Sequence, residues 1–144
     1  MTTPDLIEKV LGSLTGNAAL AAWCTATYGQ GPTVILDPDP DDPPGDAAYP
    51  LVAVEVPGHQ RENSSNRAQE WTVVLGVCLI DETDATVGGV TVPAGRLRVE
   101  ALRELAEKAV MDAAVGLVKS DGNVVGEYLR PRFAAASVLT ITSK

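Results

Sequence analysis

The chain has 144 residues and a mass of 15.0 kDa, which fits one domain spanning 1–144 with a core of its own. Its formal net charge of −8 excludes a surface that wraps a nucleic-acid backbone, because that needs clustered Lys and Arg. With 45% hydrophobic but only 4% aromatic residues, the core must be built from Val, Leu, Ile and Ala, and no apolar stretch reaches the roughly 18 residues of a membrane span.

The opening MTTPDLIEKV has neither the basic n-region nor the continuous apolar h-region of a secretory signal. Thr3 followed by Pro4 predicts an N-cap and first helical position, with Asp5 and Glu8 favourably placed in the first turn. Ile7, Val10, Leu11 and Leu14 then form one apolar stripe, which Gly12 weakens and Gly16 stops. Asn17 can cap a second short helix from Ala18 to about Thr27, closed by Gly29, Gly31 and Pro32. Trp23 in that helix lacks the polar neighbours that a cofactor box would need. Cys24 and Cys78 both sit in apolar contexts and read as reduced core thiols of a protein made in the cytoplasm.

Thr33 to Leu36 can form a strand, after which the character changes. Residues 37–48 are an acidic Pro/Asp loop, and its DPDPDDPPGD run repels itself and lacks backbone donors. The alternate aspartates resemble the start of a calcium loop, but with Asp37 or Asp39 as position one neither the glycine at six nor the glutamate at twelve is in place. Tyr49 to Val56 is a second strand, which Pro57 and Gly58 are expected to end. Residues 57–69 read as a mobile polar loop at the tip of a long hairpin. That loop carries His59, the lone histidine, so a zinc site would lack its usual ligands. A His59 pair with Ser64 or Ser65 has no nucleophile motif around it.

Glu70 to Asp81, EWTVVLGVCLID, is the longest apolar run, and both of its alternating faces are apolar. Such a strand belongs in the centre of a sheet with both faces covered. Asp81 to Asp84 adds a second acidic cluster, and Thr86 to Val92 forms a small flap around Gly88-Gly89. Those glycines lack the spacing of a phosphate loop. Arg96 to Ala114 is the longest helix, with Leu102, Leu105, Ala106, Ala109 and Ala113 inward, flanked by Val99 and Val110. Arg103–Glu107 and Glu104–Lys108 pair on its outer face. Arg96 and Arg98 sit at the helix's positive end, so either the helix starts near Val99 or these arginines face a partner. Asp121-Gly122-Asn123 predicts a turn, and Phe133 to Thr142 a last strand with Phe133, Ala135, Ser137, Leu139 and Ile141 on one face. The order does not follow a βαβ alternation. It predicts an α+β fold: a mostly antiparallel mixed sheet with helices packed on one face and a long hairpin loop.

In this order of elements the chain resembles the tail terminator (tail completion, minor tail) proteins of long-tailed bacteriophages. The resemblance lies in an N-terminal helix, YPLVAVEV, a polar insertion, WTVVLGVCLID, the helix RLRVEALRELAEKAV and the closing RFAAASVLTIT. It implies a structural virion protein of the tail, made in the host cytoplasm, without catalytic residues, cofactor or metal. By the same resemblance the partners are further copies in a hexameric ring, the tail-tube protein and a head-completion or neck protein. DNA passes through the pore without specific binding, and no membrane is involved. On this reading Arg61, Glu62, Arg67, Trp71, Arg96 and Arg98 are expected at partner interfaces. Asp37, Asp39, Asp41, Asp42, Asp46, Asp81, Glu82 and Asp84 are expected at the lumen or a rim, where acidic charge repels DNA phosphates.

Other readings are a neck or head–tail connector, a small hydrolase or ligand-binding domain using His59, and an immunity-like binder of a basic toxin. The last is suggested only by the charge.

Overall fold

The computed structural model describes the backbone of residues 1–61 and 69–143, and all of their side chains except those of residues 61 and 124–129. The first helix, α1 (Thr3–Thr15), starts one residue earlier than Thr3 as N-cap would place it. Thr2 is the cap, and its hydroxyl and backbone exchange hydrogen bonds with Asp5 in a capping box. The inward stripe is Leu6, Val10 and Leu14, so Leu6 takes the place expected for Ile7. In α2 (Ala18–Tyr28) the Asn17 side chain accepts from the Leu20 amide, and Gly29 ends the helix in the left-handed region at φ 81°.

Strands β1 (Thr33–Leu36), β2 (Leu51–Arg61) and β3 (Gln69–Ile80) build one side of a five-stranded sheet. A two-stranded flap, β4 (Asp84–Val87) with β5 (Val90–Pro93), leads into α3 (Ala94–Asp112). Strands β6 (Leu117–Leu129) and β7 (Arg132–Ser143) complete the sheet in the order β1-β2-β3-β7-β6. Only β1 and β2 run parallel, and β3 is central, so the α+β architecture is as expected.

Two expectations about breaks fail for the same reason. Pro57-Gly58 does not end β2, because the register shifts between Glu55 and Gly58 and the strand resumes with His59 opposite Trp71. A bulge tolerates a proline that has no N–H for the ladder. The first residues of the predicted polar loop, up to Arg61, are therefore strand. Asp121-Gly122-Asn123 is likewise no turn: β6 runs through it with a register shift between Ser120 and Gly122, and turns back at Arg130-Pro131.

All three helices contribute to one core against one sheet face. Trp71, Val73, Leu75, Val77 and Leu79 of β3 and Phe133, Ala135, Leu139 and Ile141 of β7 point into it. Helix α3 lies across β3 and β7 and approaches closely at Gly95, where an added Cβ would stand 2.3 Å from the Phe133 ring.

Candidate interaction surface

Among the described residues, none of the three α-helices lies on the opposite face of the sheet. On it lie Thr72, Val74, Gly76, Cys78 and Ile80 of β3, with Ala134, Ala136, Val138 and Thr140 of β7, all partly exposed. Alternation explains the placement, because the register puts every second residue of both strands on this side. The expectation that both faces of the central strand are covered is thus met only in part.

What covers part of it is the Pro/Asp loop. Asp37 leaves β1 with φ 48° and donates its amide to the Val54 carbonyl, turning the chain back over the sheet. Arg132 holds the other end of the loop, with its guanidinium 2.8 Å from Asp46 and 5.7 Å from the Tyr49 ring centre. Beneath lies a cleft of about 280 Å³. Pro38, Pro40, Pro43 and Pro44 form its roof, and Leu51, Ala53, Gly76, Cys78 and Ala134 its floor. Asp39 and Glu55 stand at its rim. Burial pushes the Cys78 thiol pKa up, with Arg132 opposing it, which disfavours the reactive thiolate.

Two polar clusters tie the elements around this sheet. At the end of β3, Asp81 is only 5% exposed. It accepts from Tyr28 Oη at 2.8 Å, from Arg98 Nη1 at 2.7 Å, and from both the amide and hydroxyl of Thr83. Burial raises the carboxyl pKa, but the bonds from Thr83, Arg98 and Tyr28 outweigh it and hold the value at about 2. Under α3, Arg103 is 6% exposed and donates to Glu100, Glu107, Asn123 and Ser137. Ser137, fully buried, donates in turn to Glu107 at 2.8 Å.

These contacts correct several expected interface positions. Trp71 is fully buried, donates to Thr3 Oγ1 at 3.1 Å and stacks on His59 at 4.8 Å, so it is core and not a partner contact. Helix α3 starts at Ala94 and not near Val99, and Arg98, expected at a partner interface, pairs with Asp81 of its own chain while its side chain stays 40% exposed. Arg96 lies 3.4 Å from Glu100. Asp81 is too buried to line a lumen. Asp46 is engaged by Arg132, and Asp84 by Arg130 at 2.9 Å. Asp37, Asp39, Asp41, Asp42 and Glu82 are exposed and have no ion-pair partner among the described residues. Glu62, Ser64, Ser65 and Arg67, with the side chain of Arg61, lie outside the described residues. On α3 the Arg103–Glu107 pair forms, but facing inward, while Lys108 pairs with Asp112 and not with Glu104.

His59 lies against Trp71 and meets Gln69 Oε1 at 3.0 Å, with no nucleophile or carboxylate bonded to it among the described residues. Among the described residues no group of three His, Cys, Asp or Glu side chains is placed to hold a metal ion, and no helix is long and apolar enough to cross a membrane. The cleft itself escaped sequence reading. Its signal was the run of small residues, Gly76, Cys78, Ala134 and Ala136, on the second faces of β3 and β7. No protein-family model matches the chain, and a search of curated proteins finds no significant match.

Proposed function

We propose that the chain is a structural subunit that caps a phage tail tube as a ring, stops tail elongation and offers the surface on which the head is joined. The observation that supports this reading is the helix-free sheet face, with Thr72, Val74, Ala136, Val138 and Thr140 half open to solvent outside the shelter of the Pro/Asp loop. Partly exposed Val, Thr and Ala side chains on a sheet face are a surface that another protein can cover with gain of apolar burial. The long-tailed-phage resemblance then supplies the partners: copies of this chain, the tube protein and a neck or head-completion protein.

Mixing the purified protein with its tube protein tests the reading directly. Light scattering and electron microscopy are expected to show rings or capped tube ends. If neither forms at any concentration, the reading is lost. Binding to tailless heads without binding to headless tails would transfer the protein to the neck as a connector.

A further inference from the structure

We propose that the cleft beneath the Pro/Asp loop receives an apolar side chain of a different protein, presented on a segment rich in lysine or arginine. The apolar lining of the cleft argues for an apolar side chain, and its volume of about 280 Å³, at the lower limit of the roughly 300–1,000 Å³ range of ligand pockets, has room for one. Leu51, Ala53 and Gly76 make its floor mainly apolar, and its carboxylates, Asp39 and Glu55, are both exposed.

Charge decides what must surround that side chain. Asp39 and Glu55 stand at the rim, with Asp37, Asp41 and Asp42 exposed on the same loop. None of these five carboxylates has an ion-pair partner among the described residues. The chain's own cations are largely engaged: Arg96, Arg98, Arg103, Arg130 and Arg132 each pair with a carboxylate of the same chain. A second copy, equally acidic at −8, would bring like charge to the rim. The complement is therefore a basic segment of another protein, steered to the rim and anchored in the cleft.

The proposal refines the reading of the sheet face as a partner contact and rests on it, but its test needs neither tube nor ring. Isotope-labelled protein is titrated by NMR with a blocked heptapeptide whose central leucine is flanked by lysines, and with the same peptide flanked by glutamates. Saturable shifts confined to Ala53, Gly76 and Ala134 are expected with the lysine peptide only, weakening severalfold at high salt. Gly76→Leu is expected to plug the cleft and abolish the shifts. A Cβ there meets only Ala53 at 3.9 Å, so the backbone accepts a side chain at this position, which then projects towards the cleft. Asp39→Asn with Glu55→Gln, both at the surface, is expected to weaken binding at least threefold in a fold left intact. No shifts at the cleft, equal shifts with the glutamate peptide, or binding that survives both variants overturns the proposal. Rings that form from a protein whose cleft ignores the peptide overturn this claim alone, and peptide binding without any ring overturns the tail reading alone.

Discussion

Asp81 is one carboxylate satisfied from three elements: Tyr28 of α2, Thr83 in the turn before β4, and Arg98 of α3. Its folded pKa of about 2 lies below the ordinary 3.8, so the ionised form contributes stability that is complete only above about pH 5 and is lost as the pH falls through 3.8 towards 2. Denaturant midpoints measured across this window are expected to drop accordingly. Asp81→Asn should cost about 2 kcal/mol at neutral pH, the range for hydrogen bonds to a buried charge, and should flatten the acid limb of that profile. The two thiols differ in the same local way. Burial pushes Cys24 up to about 11, while Cys78 opens onto the cleft. A thiol reagent should titrate Cys78 slowly in the native protein and Cys24 only after denaturation, as counted by chromophore release.

At the scale of elements, the attachment of α3 to β7 sets the geometry. Gly95 lies in the first turn of α3, where helix propensity alone favours alanine by about 1 kcal/mol. The Phe133 ring, which an added Cβ would overlap, reverses that preference, since overpacking against a buried ring costs typically about 1–3 kcal/mol. Gly95→Ala is therefore expected to lower Tm by several degrees in calorimetry. Arg103 fastens the same helix to Asn123 of β6 and Ser137 of β7. Arg103→Met should destabilise by about 3 kcal/mol, because it strands Glu107 and Ser137 without their cation. Lysine should rescue only part of the loss, since one ammonium cannot reproduce the planar fork of donors.

At the scale of the whole molecule, the two faces of the sheet separate folding from the proposed assembly. Trp71 and Val138 lie on neighbouring strands but on opposite faces, and aspartate at each is expected to fail differently. Trp71→Asp removes a fully buried indole and its bond to Thr3, so the chain should not fold at all by circular dichroism. Val138→Asp sits on the partly exposed face and should cost only about 1 kcal/mol in the monomer. If the proposed ring uses this face, Val138→Asp should abolish rings in electron microscopy while leaving the unfolding curve nearly unchanged. Rings that persist in this variant would move the interface elsewhere.

The periodicity of the chain by itself determined the helices, the centrality of β3 and the inward row of β7, because burial imposes a period of 3.6 or 2 on nearest neighbours in sequence, while the Gly88-Gly89 turn marked the flap. It also placed Ser137 in that inward row, where a hydroxyl requires a partner, although the partner was not legible. Only the tertiary structure decided which charges are spent within the chain. Arg98 finds Asp81 across 17 residues and Arg132 finds Asp46 across 86, and pairs at such distances leave no mark in a local pattern. The bulge that carries β2 through Pro57-Gly58 was hidden for a related reason, since a proline reads as a break until the partner strand supplies the register that absorbs it. The same holds for the second face of β3. Its small side chains were plain in the sequence, but whether a helix, a loop or nothing lay over them depended on how the Pro/Asp loop turned back across the sheet.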